Sequence, residues 1–150
     1  MTRSTPAPCR EELSQRVDFH SYDGEHIPDE LGNYDLIFTA CVFHHIPAEL
    51  HISLLSQIRK RLAPDGIFVL FEHNPWNPLT VHAVNNCPFD ENAVLISATE
   101  MRRRMLAAGF ARINTNFRIF FPGPLRALRA LEPALVRVPL GAQYSLTANS

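Results

Sequence analysis

The chain has 150 residues, a formal net charge of −1 and 46% hydrophobic residues, which predicts one domain with a real core and excludes a wholly disordered chain. The near-neutral charge argues against general nucleic-acid binding, because that function needs a basic surplus. No apolar run approaches the roughly 18 residues of a membrane span, and three scattered cysteines without a C-x-x-C spacing predict reduced thiols in a cytoplasm.

The N-terminal part of the chain shows little periodicity. Residues 1–15 hold prolines and small polar residues, which predicts a loose tail. Val17 to His20 alternates apolar and polar side chains, as a short strand does. Asp23-Gly24 then predicts a turn.

A strand, a helix and a second strand are predicted next. Tyr34 to Phe43 is almost continuously apolar after Asp35, which is typical of a strand buried on both faces. Pro47 suits the first turn of a helix, and leucine and isoleucine then recur at helical spacing as far as Leu62. Pro64-Asp65-Gly66 ends the helix, and Ile67 to Phe71 predicts a second buried strand. The unit is therefore βαβ, with parallel strands.

The C-terminal half begins with a loop at residues 74–92 that is rich in Asn and Pro and holds one short helix at Leu79–Val84. Loops of this length in compact domains tend to be functional. A capping box at Ser97 and Glu100 opens the next helix, which Gly109 closes.

Two further strands are predicted, at Ala111–Phe121 and Gln143–Ala148. Between them Pro124 opens a helix with leucines on one side, which Pro133 kinks or ends. This helix is also basic, with Arg126 and Arg129. It either packs as a lid over the sheet or rests on a membrane surface, and we expect the lid.

Four segments in this order resemble the second half of class I S-adenosylmethionine-dependent methyltransferases. They are YDLIFTACVFHHIP, IRKRLAPDGIFVLFEHNPWNP, CPFDENAVLISATEMRRRMLAAGF and FFPGPLRALRALEPALVRVPLGAQYSLTAN. The resemblance covers residues 16–150, read as one partial methyltransferase domain. It implies an α/β, Rossmann-like class I methyltransferase fold with strand order 3-2-1-4-5-7-6 and an antiparallel last strand. The family strands map as follows: strand 3 to Val17–His20, 4 to Tyr34–Thr39, 5 to Ile67–Phe71, 6 to Arg112–Phe120 and 7 to Gln143–Ala148. Residues 122–139 are then a helical insertion before the last strand.

The sequence departs from the family pattern at its start. The six glycines include no pair at G-x-G spacing, so the glycine-rich cofactor loop is missing and we expect a truncated, N-terminally incomplete domain. Tyr34–Thr39 should then border a bare sheet edge. Because exposed apolar edges pair with other strands, we expect self-association or a partner chain there, which light scattering would detect.

The resemblance implies S-adenosylmethionine as the cofactor and assigns it a binding site. Asp23 would accept a hydrogen bond from the adenine amino group, with backbone contact from Tyr22 or Gly24. The alternative is that Asp23-Gly24 is an ordinary turn. Thr39 and Ala40, at the carboxyl end of their strand, are small enough for close approach of the cofactor.

The histidine pair His44-His45 follows the same strand. Ligands of open α/β sheets bind at the carboxyl ends of strands, and an imidazole has a pKa near the working pH. Either histidine is therefore a candidate general base on a substrate hydroxyl. The alternative is that one caps the helix near Pro47 and the other lies on the surface.

Glu72-His73-Asn74-Pro75-Trp76 follows the next strand at the same edge. Glu72 is a candidate catalytic residue, and His73, Asn74 and Trp76 are candidate substrate contacts. The alternative is that Glu72 binds backbone amides of the loop and Trp76 plugs it. Four histidines could converge, at positions 44, 45, 73 and 82, but without H-x-x-x-H or H-E-x-x-H spacing we predict no metal.

The function implied by the resemblance is S-adenosylmethionine-dependent methyl transfer to a small-molecule acceptor, in which the acceptor attacks the methyl group in line. The competing hypothesis is a non-catalytic fragment, or one half of a split methyltransferase that needs a partner chain. It follows from the missing glycine-rich loop.

Overall fold

Four strands form one mixed sheet in the order β1-β2-β4-β3. The computed structural model describes residues 17–21, 23 and 25–149. Its strands are β1 (Tyr34–Ala40), β2 (Leu62–His73), β3 (Ala111–Arg118) and β4 (Gln143–Asn149), and its α-helices are α1 (His51–Lys60), α2 (Pro78–Asn85), α3 (Ala98–Ala107) and α4 (Glu132–Leu135). Short 3-10 turns lie at Asp29–Leu31, Phe43–His45, Ala48–Leu50, Pro88–Asp90 and Gly123–Leu131.

The predicted βαβ unit is confirmed. β1 and β2 are parallel, paired from Leu36 with Ile67 to Ala40 with Phe71, and α1 connects them. β2 begins at Leu62, so the predicted stop at residues 64–66 lies inside the strand. The pairing of β2 with β1 is irregular at this point: the register shifts between Tyr34 and Leu36, and Asp65 has a positive φ of 63°.

β4 runs antiparallel to both of its neighbours, β2 and β3. This arrangement matches the family order 4-5-7-6 expected from the sequence, so the Rossmann-like fold class is confirmed. The centre of the sheet is buried and shares a core with α1 and α3; among its members are Phe68, Leu70, Tyr144, Leu146, Leu55, Met101 and Met105.

Helix α3 starts and ends with the residues predicted for it. The Ser97 hydroxyl accepts a hydrogen bond from the Glu100 amide at 3.2 Å, and Gly109 follows the helix with a φ of 92°. The reciprocal half of the capping box is not formed. The Glu100 carboxylate instead accepts hydrogen bonds from Arg103 and Arg104, and the pKa of Glu100 falls to about 2 because both guanidinium groups stabilise its charge.

The insertion before β4 packs along the outer edge of β3. The Phe117 amide donates to the Val136 carbonyl at 2.7 Å, and Arg137 donates to the Thr115 carbonyl at 3.0 Å. The helix predicted from Pro124 is a 3-10 helix, Gly123–Leu131, that ends just before Pro133. Pro133 itself lies in the first turn of α4, where its missing N–H costs nothing. Among the described residues, no helix is long and apolar enough to cross a membrane.

The opposite edge of the sheet is β1, which is apolar and largely exposed, so the prediction that it is buried on both faces is wrong. Leu36 and Phe38 are 60% and 59% exposed, and within the described ranges β1 pairs only with β2. The predicted strand at Val17–His20 is wrong: these residues have no regular structure, and Phe19 is 93% exposed. An alternating segment becomes a strand only where another backbone pairs with it, and no described strand does so here. Self-association through β1 stays a prediction.

Gly141 offers a test of how tightly the insertion is attached. A Cβ atom at Gly141 would lie 2.5 Å from the Arg118 carbonyl oxygen and 2.7 Å from its amide nitrogen. Because both atoms are backbone and cannot turn aside, we expect Gly141→Ala to lower the free energy of unfolding by about 1–3 kcal/mol in urea denaturation.

Gly123→Ala is the matched control for this measurement. A Cβ at Gly123 has no described atom within 4 Å, so its effect should stay within about 0.5 kcal/mol. Equal stability of the two variants would contradict a close contact between the residue 141 backbone and β3.

Candidate active site

The carboxyl ends of β1 and β2 lie side by side and carry most of the polar residues singled out in the sequence. Ala40 pairs with Phe71, and the Cys41 amide continues the pairing by donating to the Phe71 carbonyl at 2.9 Å. β1 therefore delivers the turn Phe43–His45 next to Glu72. Such an edge is where open α/β sheets bind ligands.

The Glu72 carboxylate is buried at this edge, with its side chain 1% exposed. Its Oε1 accepts hydrogen bonds from the amides of Val42 at 3.0 Å and Phe43 at 2.8 Å, and its Oε2 accepts from His44 Nδ1 at 2.6 Å. Three donors satisfy an ionised carboxylate, which otherwise is costly to bury. Glu72 thus binds backbone amides, but those of the loop after β1 rather than of its own loop.

His44 is fully buried between two carboxylates. Glu72 receives the Nδ1 proton, and Nε2 points to Asp90 Oδ1 at 3.4 Å. The His45 ring lies beside it, tilted by 55°, with ring centroids 4.2 Å apart, and places its own Nε2 3.6 Å from the same oxygen. His45 is 40% exposed and Asp90 15%. The structure therefore brings the two predicted histidines together with an aspartate from the loop between α2 and α3.

The electrostatics of the cluster favour positive charge on His44. Burial opposes its protonation, but the hydrogen bond and charge of Glu72, with the charge of Asp90, outweigh burial and raise the pKa of His44. A hydrogen bond from the Cys87 thiol, opposed by partial desolvation, and then the charge of His44 lower the pKa of Asp90. For His73, burial and then the positive field of His44 lower the pKa.

His73 and Cys41 complete the wall of the cluster. The His73 ring lies 5.3 Å from that of His44, so this predicted substrate contact does lie at the same edge. Cys41 has a pKa raised to about 11 by burial, then by the charges of Glu72 and Asp90. Its thiol stays protonated at neutral pH and is not a nucleophile.

Asn74 and Trp76 lie at the same edge, with different surroundings from those proposed for them. The Asn74 amide donates to the carbonyls of Pro139 at 3.0 Å and Gly141 at 2.8 Å, and its Oδ1 accepts from the Trp76 amide. Asn74 thereby ties the end of β2 to the loop before β4. Trp76 is 55% exposed and does not plug the loop. Substrate contact by either residue stays a prediction.

Asp23 forms the turn that its sequence context suggested. Its Oδ1 accepts from the amides of His26 at 2.7 Å and Glu25 at 2.8 Å, and these bonds, with that of His26 first, lower its pKa. Asp23 is exposed, and its Oδ2 lies 3.3 Å from His26 Nδ1, so a ligand at this oxygen would compete with His26. Tyr22 and Gly24 lie outside the described residues, and the adenine role of this segment stays a prediction.

Thr39 lines a cavity of about 230 Å³ beside β1. His20, Ile27 and Val42 also line this cavity, so the segment that leads to Asp23 lies close to the end of β1. The buried Thr39 hydroxyl has no hydrogen-bond partner among the described residues. Ala40, the next residue, is exposed. Thr39 and Ala40 follow each other in β1, so their side chains point to opposite faces of the sheet, and only Thr39 lines this cavity. A cofactor contact by either residue stays a prediction.

Two features of the site were missed at the sequence level. Asp90 lies in the loop that was predicted to be functional, but no spacing connects it to the histidines. His51 is buried against Arg104: its Nδ1 accepts from Arg104 at 2.6 Å, so its Nε2 carries the proton and donates to the Ile46 carbonyl at 2.9 Å. The pair lines a second cavity, of about 370 Å³, that also touches Pro75.

Glu72 is expected to stabilise the site as well as shape it. Glu72→Ala leaves two backbone amides and the buried His44 without their partner, so we expect the free energy of unfolding to fall by about 3–5 kcal/mol. Glu49→Ala removes an exposed carboxylate at a neighbouring turn and should change it by less than about 0.5 kcal/mol. A similar small loss in both variants, by urea denaturation, would show that Glu72 is not the anchor.

The two buried histidines, His44 and His51, should have pKa values on opposite sides of 6.5, the ordinary pKa of an imidazole. NMR of the imidazole resonances should give His44 a pKa above 6.5, and His51 one below it because burial and then the Arg104 charge disfavour its protonation. The stability that His44 contributes to the fold is therefore complete below pH 6.5 and is lost as the pH rises through its raised pKa. The stability that His51 contributes is present above pH 6.5 and is lost as the pH falls below that value.

Arg104→Leu and Arg102→Leu separate the causes for His51. Arg102 is exposed on the same helix and should leave the His51 pKa unchanged. Arg104→Leu should raise the His51 pKa, because the Arg104 charge is one of the causes that lower it. An unchanged His51 pKa in this variant would contradict that cause.

Solved structures of other proteins share this fold. A SAM-dependent methyltransferase from Archaeoglobus fulgidus aligns at TM-score 0.59 and 14% identity over 79% of this chain and 60% of its own. A SAM-dependent methyltransferase from Thermotoga maritima, described as a possible histamine N-methyltransferase, aligns at TM-score 0.65 and 16% identity over 96% of this chain and 70% of its own. Human N-acetylserotonin methyltransferase in complex with SAM aligns at TM-score 0.59 and 16% identity over 91% of this chain and 34% of its own. This chain thus spans less than two thirds of two of these three proteins.

The family assignment comes from the sequence profile. No curated protein matches the chain. The profile of the family described as "Methyltransferase domain" matches residues 6–115, well over half of the chain. With the sheet order and the carboxyl-edge site described above, the chain belongs to the methyltransferase-domain family and has the class I S-adenosylmethionine-dependent methyltransferase fold.

Proposed function

We propose that this protein transfers the methyl group of S-adenosylmethionine to an O, N or C atom of a small-molecule acceptor. The observation that carries the proposal is the Glu72–His44–His45 arrangement at the carboxyl edge of a methyltransferase-family sheet. A buried carboxylate that orients a histidine pair at the ligand-binding edge is costly to maintain without a use.

The cofactor is proposed to bind at the end of β1, in the cavity that Thr39 lines, with Ala40 next to it at the end of the strand. The residues present fit such a ligand in one respect: the buried Thr39 hydroxyl has no partner among the described residues, so it is available to a polar group of a ligand. When bound, S-adenosylmethionine supplies a methyl group on a positively charged sulfur, which an electron-rich atom attacks. Asp23 is proposed to accept from the adenine amino group, as the family resemblance implies.

The acceptor is proposed to bind on the other side of this edge, against His45 and Asp90. His45 is the exposed member of the histidine pair, and its Nε2 lies beside Asp90 Oδ1. Either atom can accept a hydrogen bond from an acceptor hydroxyl or amine and so aim its lone pair at the methyl group. Positioning of this kind supplies a large part of the rate enhancement when two reactants must meet in line.

Glu72 has a positioning role in this proposal. It touches neither reactant, but its hydrogen bonds to Val42, Phe43 and His44 hold the turn that carries His45. His73 contributes a neutral imidazole to the same wall, since burial lowers its pKa. Misplacement of a positioned group by about 1 Å costs on the order of 100-fold in rate.

Calorimetric titration of the 150-residue chain with S-adenosylhomocysteine tests the proposal directly. We expect micromolar binding, weakened several-fold by Thr39→Val and by Asp23→Ala. Thr99→Val is the matched control, because Thr99 is exposed on α3 and should not change affinity. Absence of binding by a sample whose circular dichroism shows it folded would reject the proposal.

Methyl transfer itself is then assayed with isotope-labelled S-adenosylmethionine and a panel of phenols and amines. We expect His45→Gln to reduce kcat at least tenfold while S-adenosylhomocysteine affinity stays the same, since His45 faces the acceptor. A loss of affinity without loss of turnover would place His45 on the cofactor side and contradict the assignment.

A further inference from the structure

Three potential metal ligands converge at the carboxyl edge of the sheet. His44, His45 and Asp90 each offer one ligand atom, and the three atoms lie within 4.8 Å of one another. We propose that these residues bind a divalent transition-metal ion of the zinc class. The site combines two imidazole nitrogens with one carboxylate oxygen, a donor set that suits zinc and its neighbours.

The separations around Asp90 match the edges of a metal coordination tetrahedron. Zinc binds imidazole nitrogen and carboxylate oxygen at about 2.0–2.2 Å, which places neighbouring ligand atoms of a tetrahedron about 3.3–3.6 Å apart. Asp90 Oδ1 lies 3.4 Å from His44 Nε2 and 3.6 Å from His45 Nε2. Both distances exceed the 2.7–3.2 Å range typical of N–H···O hydrogen bonds. The oxygen is therefore too far away for a good hydrogen bond and near enough to share an ion.

The hydrogen bonding of His44 leaves its second nitrogen free for a metal. Glu72 takes the Nδ1 proton at 2.6 Å, so Nε2 is the nitrogen with the lone pair when the ring is neutral. This atom is buried and has no hydrogen-bond partner among the described residues. It faces Asp90 Oδ1, which is also an acceptor. In the ion-free protein a proton on Nε2 meets part of this need, and a metal ion between the two atoms would replace that proton and satisfy both.

Glu72 supplies the support that metal-bound histidines typically have. Ligating imidazoles commonly donate their other N–H to a carboxylate, which fixes the tautomer and the ring orientation. The Glu72–His44 bond has this form, and the backbone amides of Val42 and Phe43 hold Glu72 in turn. His45 is partly exposed, so its ring has room to adjust to the ion.

Three protein ligands leave at least one coordination position open, as at catalytic zinc sites. Binding of the ion does not depend on the function proposed above, whereas its use does. If the protein transfers methyl groups, the open position faces the acceptor. An acceptor oxygen would then bind the ion directly, in place of the hydrogen bond assigned to His45 in the ion-free protein.

Calorimetric titration of the chelator-treated chain with Zn²⁺, without any methyl donor, tests the site. We expect one ion per chain with micromolar or tighter affinity. His45→Gln and Asp90→Asn each remove a ligand from a position that is not deeply buried and should weaken binding at least tenfold. Glu72→Gln should weaken it about 10-fold to 100-fold, the effect typical of a lost carboxylate behind a ligand.

His82→Gln and Glu91→Gln are the matched controls. His82 lies on α2, where it hydrogen-bonds only with Asn86 among the described residues, and Glu91 is the exposed neighbour of Asp90. Neither should change the affinity for Zn²⁺. The proposal is overturned if the folded chain binds no Zn²⁺, or if His45→Gln and Asp90→Asn bind it as tightly as the unaltered chain. If instead the methyl-transfer proposal is wrong, S-adenosylhomocysteine will not bind, but the titration with Zn²⁺ will give the same result.

Discussion

The buried carboxylate of Glu72 is the interaction on which the candidate site depends. A charge removed from water must be paired or hydrogen-bonded, and Glu72 meets this requirement with two backbone amides after β1 and the imidazole of His44. The same bonds decide the path of the chain beyond β1, the tautomer of His44 and the direction of its free nitrogen. One desolvated side chain on β2 thus organises a turn that belongs to a different strand.

The loop between α2 and α3 packs against the turn that carries His44 and His45. The Val94 amide donates to the His44 carbonyl at 2.8 Å, which ties the loop to the turn after β1 and brings Asp90 to the histidine pair. The sheet itself has two different edges: the insertion covers β3, whereas β1 exposes Leu36 and Phe38. The polar cluster lies at the carboxyl ends of β1 and β2, where His44 and Glu72 are buried and His45 is 40% exposed.

The described residues form two neighbouring surfaces at the carboxyl end of β1. Thr39, with its unpartnered hydroxyl, faces the cavity that His20 also lines, and the histidine–aspartate cluster lies on the β2 side. In the proposed function, the methyl donor would bind at the first of these surfaces and the acceptor at the second. A metal ion on the β2 side would change how the acceptor is held without moving the donor.

Much of this molecule follows from its sequence alone. Apolar runs and helical spacing predicted β1, α1, β2 and β4, because the spacing of apolar residues differs between helices and strands. The family resemblance predicted the order of the strands in the sheet. The same patterns placed Thr39, His44, His45 and Glu72 at one edge. Tertiary structure decided the rest. Glu72 pairs with residues 28 to 30 positions away, Asp90 enters from a loop without periodicity, and Arg104 turns inward from a basic run to meet His51. The alternating segment Val17–His20 found no described partner and formed no strand. These outcomes depend on register and on contacts between distant segments, which local patterns in a sequence do not encode.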